Sequence, residues 1–160
     1  MLSEPLVVIA QLDPAFVAWF LAGAFVLFVI NMIPRDIGGS KTKRIVLVDD
    51  DPDVLRGLRW LIEERTDYRI VGEARTGTAA LDVVGSVEPD VVVIDVRLPE
   101  IDGIAATRSI KTSHPKVAVV AYSSIEDDAT GTIMLAAGAT AHLVKGDSPE
   151  TIVKTLANLA

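Results

Sequence analysis

Apolar and polar positions along residues 43–160 are arranged in blocks that switch between two periods. Short runs rich in Val and Ile predict strands, and the stretch after each run has apolar residues three and four positions apart, which predicts an amphipathic helix. The predicted strands are Arg44 to Val48, Tyr68 to Val71, Val91 to Ile94, Val117 to Ala121 and His142 to Val144. The first helix is predicted to begin at Asp51 and Pro52, and the others lie near residues 78–86, 103–111, 127–137 and 149–159.

Five strands and five helices in strict alternation predict an α/β fold. Two of the strand sequences, RIVLV and VVVI, are apolar throughout, which is typical of strands buried on both faces. We therefore expect one parallel sheet with helices on both faces and right-handed crossovers. The pattern alone does not give the order of the strands in the sheet.

The N-terminal part of the chain has a different pattern. From Ala15 to Ile33, nineteen consecutive residues carry no charged side chain. A helix of that length rises roughly 28 Å, which matches the hydrocarbon core of a bilayer. Asp13 and Pro14 supply a start signal and Pro34 a stop signal. Residues 1–34 are therefore predicted to hold a short tail and one transmembrane helix.

Charge predicts the orientation of this helix. No Lys or Arg precedes it, whereas Arg35, Lys41, Lys43 and Arg44 follow it, so its C-terminal side is expected to face the cytoplasm. The polar residues 35–42, with a Gly-Gly-Ser centre, are predicted to form a flexible linker to a domain at 43–160.

The net charge and the lack of cysteine exclude or disfavour some kinds of binding site. A formal charge of −7 without a cluster of basic residues disfavours a general nucleic-acid surface. The chain has no cysteine, which excludes disulfides, thiolate metal sites and thiol nucleophiles.

Chemically versatile side chains stand at the ends of the predicted strands. Asp49 and Asp50 end the first strand, Asp95 ends the third, Ser123 follows the fourth and Lys145 ends the fifth. In open α/β sheets the functional crevice lies outside the carboxyl ends of the strands, at the switch point where successive connections diverge. These five residues are therefore expected to converge at one edge of the sheet.

Three carboxylates crowded at one edge repel each other unless a cation joins them, and hard oxygen ligands favour Mg²⁺. With a metal in place, a carboxylate can act as a nucleophile towards phosphorus, while the metal and a nearby ammonium balance charge on the phosphoryl oxygens. Lys145 is the candidate for that ammonium.

Four motifs in order resemble a known family. The runs RIVLVDDDP, DVVVIDVRLPEIDG, YSS and AHLVKG are similar to receiver domains of bacterial two-component response regulators, over residues 43–160. Within that family the chain most resembles the branch whose receivers precede a DNA-binding helix-turn-helix. The resemblance implies a flavodoxin-like sheet with strand order 2-1-3-4-5.

The resemblance also implies roles for the acids. Asp95 matches the phosphoacceptor, and Asp49 with Asp50 matches the acidic pair. These acids would form the metal site, in which Asp50, Asp95 and the backbone carbonyl of Arg97 would ligate Mg²⁺. Pro99, Asp102 and Gly103 fit the turn that follows the acceptor in the family.

Ser123 and Lys145 match the switch hydroxyl and the lysine that contacts the phosphoryl group. Two positions depart from the family pattern. His142 stands where the switch usually has Tyr or Phe, and Gly146 follows the lysine where proline is common. Both departures leave phosphorylation intact and concern the form of the output.

The expected function is that of a single-domain response regulator tethered to the bacterial cytoplasmic membrane by one span, with its receiver domain in the cytoplasm. A sensor histidine kinase or phosphotransfer protein would phosphorylate Asp95 in the presence of Mg²⁺. Phosphorylation would change a surface that an unidentified downstream protein reads, without turnover catalysis and without nucleic-acid binding.

Three alternatives stay open. One is a DNA-binding response regulator truncated before its output module. Another is an aspartyl-phosphate phosphatase similar to haloacid dehalogenase-like enzymes, but these need an acid two residues after the nucleophile, where this chain has Arg97. A third is a scaffold without phosphorylation, which would be expected to lose an acid or the lysine.

Overall fold

The computed structural model describes residues 42–124 and 128–159. Its five strands are β1 (Arg44–Val48), β2 (Arg69–Ala74), β3 (Val91–Ile94), β4 (Ala118–Ser123) and β5 (Ala141–Val144). Its five helices are α1 (Pro52–Arg65), α2 (Gly77–Val87), α3 (Gly103–Ser113), α4 (Asp128–Ala136) and α5 (Pro149–Ala157). The predicted alternation of strands and helices is confirmed.

All five strands form one parallel sheet in the order β2-β1-β3-β4-β5, as the family resemblance implies. The bounds of β1 and β3 match their predictions. β2 begins one residue later and ends three residues later than predicted, because Gly72 and Glu73, both poor strand formers, still pair with Val46 and Leu47 of β1. Strand pairing thus overrides local propensity there.

Alternate residues of the central strands feed two hydrophobic cores. Val46 and Val48 of β1 belong to the core beneath α2, α3 and α4, and Ile45 and Leu47 belong to the core beneath α1 and α5. Each core buries more than ten apolar residues, so burial on both faces of the sheet is the main source of stability.

Local signals place the helix ends. The Asp51 side chain accepts a hydrogen bond from the backbone N–H of Asp53 at 2.8 Å, and Pro52 opens α1, as predicted. Asp102 caps α3 in the same way through the N–H of Ala105 at 2.7 Å. At the opposite edge of the sheet, Lys43 Nζ donates to the Leu159 carbonyl at 2.8 Å and joins the two ends of the domain.

The predicted membrane span, residues 15–33, lies outside the described residues, as do the tail around it and nearly all of the predicted linker 35–42. Within residues 42–124 and 128–159, no helix is both long and apolar enough to cross a bilayer.

Candidate functional site

Strand register brings the two buried acids together. Val48 of β1 pairs with Ile94 of β3, so the residues that follow them, Asp49 and Asp95, leave adjacent strands side by side. The backbone continues the ladder, because the N–H of Asp95 donates to the Val48 carbonyl at 2.8 Å. Asp49 is 1% exposed and Asp95 5%, which fixes both carboxylates at the floor of the crevice.

Lys145 reaches this floor from β5. Ser123 pairs with Val144, and the N–H of Lys145 donates to the Ser123 carbonyl at 2.6 Å. The Lys145 ammonium nitrogen lies 2.6 Å from Asp49 Oδ2 and 3.1 Å from Asp95 Oδ2. The structure therefore brings these three predicted residues into one ion-pair cluster.

Burial and hydrogen bonding shift the pKa values of Asp49 and Lys145. Burial raises the pKa of the Asp49 carboxyl above its ordinary value, and the hydrogen bond from Lys145 offsets this only in part. Burial acts to lower the pKa of Lys145, but its hydrogen bonds to Asp49 and Asp95 outweigh that effect and raise the pKa. Lys145 is therefore firmly cationic at neutral pH.

The third acid completes a candidate metal site. Asp50 is exposed at the rim, and one carboxylate oxygen from each of Asp49, Asp50 and Asp95 lies within 4.8 Å of the others. An all-oxygen donor set that is open to water on one side fits Mg²⁺, which keeps several of its waters. Arg97, the predicted carbonyl ligand, lies two residues after Asp95 on the loop that leaves β3. When bound here, Mg²⁺ would neutralise charge on a phosphoryl group.

The backbone around Asp50 is held by a residue that sequence reasoning missed. The guanidinium of Arg75 donates to the Asp50 carbonyl oxygen from Nη2 at 2.7 Å and from Nε at 3.2 Å. Arg75 directly follows β2. Because β2 was predicted to end at Val71, sequence reasoning did not place Arg75 at the carboxyl edge of the sheet. A correct end for β2 would have revealed it.

The two residues predicted to form the switch contact each other directly. Ser123 is 1% exposed, and its Oγ lies 3.1 Å from Nε2 of the half-buried His142. Gly131 of α4 borders the other side of the ring, where an added Cβ would lie 2.9 Å from His142 Nδ1. The ring therefore fits between Ser123 and α4 only because residue 131 has no side chain.

Two further side chains shape the rim. Arg97 Nη2 donates to Ser124 Oγ at 3.2 Å, which links the loop after β3 to the end of β4. Gly146 has φ +143°, which proline cannot adopt, so the departure from the family pattern has a structural counterpart. Asp147 stabilises this turn by accepting the N–H of Val144 at 2.8 Å.

Comparisons with known proteins agree with this geometry. The family model described as "Response regulator receiver domain" matches residues 45–157. An uncharacterized transcriptional regulatory protein of Bacillus subtilis, YhcZ, is 38% identical over 112 residues, which cover 70% of this chain and 52% of YhcZ. The response regulator GacA of Pseudomonas aeruginosa is 35% identical over 112 residues, covering 69% of this chain and 52% of GacA. The chain thus spans about half the length of these curated relatives.

Solved structures give the same family. The signal receiver domain of NarL from Mycobacterium tuberculosis superposes with a TM-score of 0.71 at 28% identity, over 74% of this chain and 96% of that one. A two-component response regulator of the LuxR family from Aurantimonas superposes with a TM-score of 0.70 at 35% identity, over 74% and 86%. With its matching motifs, strand order and acidic edge, this chain belongs to the response regulator receiver domain family.

Proposed function

We propose that the chain is a membrane-tethered signalling protein that a partner histidine kinase or phosphotransfer protein phosphorylates on Asp95. The observation that carries this proposal is the cluster of Asp95, Asp49 and Lys145, with ammonium to carboxylate distances of 2.6 and 3.1 Å at the floor of one crevice. A carboxylate nucleophile beside a fixed cation and two further acids is an arrangement suited to phosphoryl transfer.

The chemistry assigned to the residues is a single displacement. An oxygen of Asp95 forms the new bond to phosphorus, the bond from phosphorus to the donor imidazole nitrogen breaks, and the imidazole leaves with the bond electrons. Lys145, cationic because its pKa is raised, balances charge on the transferred group. Asp49, Asp50 and Asp95, with the Arg97 carbonyl, would hold Mg²⁺.

The switch would act through an exchange of hydrogen bonds. A phosphoryl group on Asp95 offers new acceptor oxygens at the carboxyl edge, and Ser123 would turn from His142 towards them. The ring of His142 then loses a partner at 3.1 Å while α4 bounds it on the other side at Gly131. A change at Asp95 would thereby reach β5 and α4, with a coupling free energy of about 1 to 3 kcal/mol.

A protein phosphodonor has an apolar surface to dock on beside the crevice. Trp60 of α1 is 61% exposed, and it borders a depression of about 240 Å³ whose lining includes Val54, Tyr122 and Pro149. Because α1 begins after Asp51 and α5 begins after Ser148, this surface adjoins the loops that carry Asp50 and Lys145. Trp60→Ala should slow transfer from a phosphorylated kinase about tenfold and leave labelling by acetyl phosphate unchanged.

The membrane tether rests on the sequence of residues 15–33 and on the basic residues after them. A phosphatase reporter fused after Ala160 should be inactive in bacterial cells, and the chain should require detergent for extraction. Recovery of the whole chain in the soluble fraction without detergent would contradict the tether.

Regulation of transcription is the second candidate function, because the names of YhcZ and other relatives describe transcriptional regulatory proteins. We favour a protein-binding output, since the chain is acidic overall and has no basic cluster. Gel shifts with the 160-residue chain at physiological salt should show no specific DNA complex, and a tight specific shift would favour the alternative.

The decisive experiment is labelling of the full chain with radioactive acetyl phosphate. Wild type should label only with Mg²⁺, and Asp95→Asn should not label. Asp67→Asn, an exposed acid away from the site, is the matched control and should label normally. Equal labelling of Asp95→Asn and wild type, or labelling that survives EDTA, would overturn the assignment.

A further inference from the structure

The peptide group between Asp50 and Asp51 is held at both of its polar atoms. Its carbonyl oxygen accepts two hydrogen bonds from the Arg75 guanidinium, at 2.7 and 3.2 Å. Its N–H donates to Asp49 Oδ1 at 3.0 Å. The plane of this peptide is therefore fixed between the end of β2 and the carboxylate at the floor of the site.

That fixed plane bears on the direction of Asp50, the exposed member of the candidate metal site. Asp50 lies at the solvent-exposed rim, between a buried acid and the helix cap Asp51. The fixed 50–51 peptide on one side of Asp50, and on the other the Asp49 N–H held by the Ala74 carbonyl at 3.1 Å, together limit φ and ψ of Asp50. These two torsions set where its Cα–Cβ bond points relative to Asp49 and Asp95. Ordering a metal ligand costs backbone entropy as well as side-chain entropy, so a backbone that is already fixed lowers the backbone share of the cost of binding.

We propose that Arg75 is a positioning residue for the metal site, acting on Asp50 through the main chain. This inference rests on the proposed function, since it assumes that the three acids hold Mg²⁺. Arg75 is well suited to the task because its planar guanidinium directs two N–H groups at one carbonyl oxygen. A lysine ammonium lacks this planar pair of donors and would direct one N–H at the same oxygen.

The charge of Arg75 and its hydrogen bonds to Asp50 should affect Mg²⁺ affinity in opposite directions, which makes the proposal testable. A guanidinium beside the acidic edge repels Mg²⁺, so the loss of its charge alone would tighten Mg²⁺ binding. The loss of the hydrogen bonds to Asp50 would weaken it. A substitution that removes both can therefore weaken binding only if the positioning role outweighs the electrostatic one.

The experiment measures Mg²⁺ binding to the full chain in detergent micelles by titration calorimetry, with wild type, Arg75→Met and Arg69→Met. Methionine keeps the aliphatic stem but has neither charge nor hydrogen-bond donor, so Arg75→Met should weaken Mg²⁺ binding about threefold to tenfold. Arg69→Met is the matched control, because it removes an exposed arginine from the other end of the same strand, and its affinity should stay within about twofold of wild type.

A second measurement needs no metal. Hydrogen exchange at the Asp51 amide of the metal-free protein should be faster in Arg75→Met, and Arg75→Lys should recover part of the protection through one hydrogen bond to the same carbonyl. Affinity of Arg75→Met equal to or tighter than wild type, or unchanged Asp51 protection, would overturn the role of Arg75 alone. Absence of Mg²⁺ binding by wild type would overturn the proposed function with it.

Discussion

The carboxyl ends of β1 and β3 differ from that of the outer strand β5 in how firmly the surrounding structure holds them. β1 and β3 are interior strands that are buried except at Arg44, and they present Asp49 and Asp95. β5 is an outer strand in which only Leu143 is fully buried, and it presents His142 and, just after its last residue, Lys145. Ser123 ends β4, the interior strand between β3 and β5, and is itself buried. The acids thus follow interior strands, whereas His142 and Lys145 belong to the outer one.

This difference matches two separate demands of the proposed function. Phosphoryl transfer needs a nucleophile in a fixed position, which neighbours on both sides of a strand provide. A conformational switch needs an element with two arrangements of similar free energy, which an outer strand with half-buried side chains can supply. We call Asp49 and Asp95 the inner half of the site, and Ser123 and His142 the outer half. Lys145 joins the two halves, because it extends from β5 to both buried acids.

The largest effect on this comparison should come from Lys145→Met, which breaks the link between the halves. Two buried carboxylates would lose their cation, and the unfolding free energy without Mg²⁺ should fall by about 2 to 4 kcal/mol. Urea denaturation measures this change, and Mg²⁺ should restore part of it. Lys116→Met, at an exposed position, is the control, and an equal effect of both variants would contradict the link.

His142→Phe should uncouple the outer half and leave the inner half intact. Asp95 should label normally. Phenylalanine cannot hydrogen-bond to Ser123, so the free energy that couples beryllofluoride binding to the change in α4 and β5 should differ from wild type by about 1 to 3 kcal/mol. Amide chemical shifts of the full chain with and without beryllofluoride report this response. His114→Phe, the same change at the other histidine, should leave the response unaltered; identical spectra for the two variants would exclude a role for His142.

A smaller effect is expected at Gly146, in the turn after β5. An alanine there would have to adopt φ +143°, and we expect Gly146→Ala to lower the unfolding free energy by about 1 to 2 kcal/mol. Gly85→Ala is the matched control, because Gly85 lies exposed in α2 with open space around it and should gain stability instead. Thermal unfolding of both variants tests the opposite signs.

The smallest expected effect is a pH dependence of the inner half. Burial raises the pKa of Asp49 above 3.8, so the folded state binds this proton more tightly than the unfolded state. The stability contributed by protonated Asp49 is full below pH 3.8 and is lost as pH rises through the raised pKa. Asp49→Asn cannot ionise and avoids this loss.

Denaturation without Mg²⁺ between about pH 3.5 and about pH 7 should therefore show the stability of Asp49→Asn improving relative to wild type as pH rises. Asp67→Asn corrects for the removal of one acid at an exposed position. Parallel curves for wild type and Asp49→Asn would show that burial does not govern the titration of Asp49.

The comparison also separates what the sequence predicts from what it does not. The bounds of β1 and β3 were predicted correctly, because continuous apolar runs are typical of strands buried on both faces. Because Asp49 and Asp95 directly follow these strands, their places at the edge of the sheet were predicted correctly as well. β2 was predicted too short, because its last residues are in a strand only through their pairing with β1. The sequence pattern therefore provided no reason to place Arg75 at the carboxyl end of β2.

The contact between Ser123 and His142 could not be predicted in detail. The family resemblance assigned both residues to the switch, but the hydrogen bond depends on the rotation of the imidazole and on the space left by Gly131 on a different element. Such packing arises only when β4, β5 and α4 come together. The strand order came from the family resemblance, since one sequence has no signal for which strands are neighbours.

The contact between Lys43 and the Leu159 carbonyl has a consequence for protein engineering. Because the first and last described segments of the domain meet at 2.8 Å, at the edge away from Asp95, a short linker could join them and new termini could be opened in a surface loop. The same proximity makes the domain a suitable insert within a loop of another protein, where a ligand-induced change could be read out by a host such as a fluorescent protein.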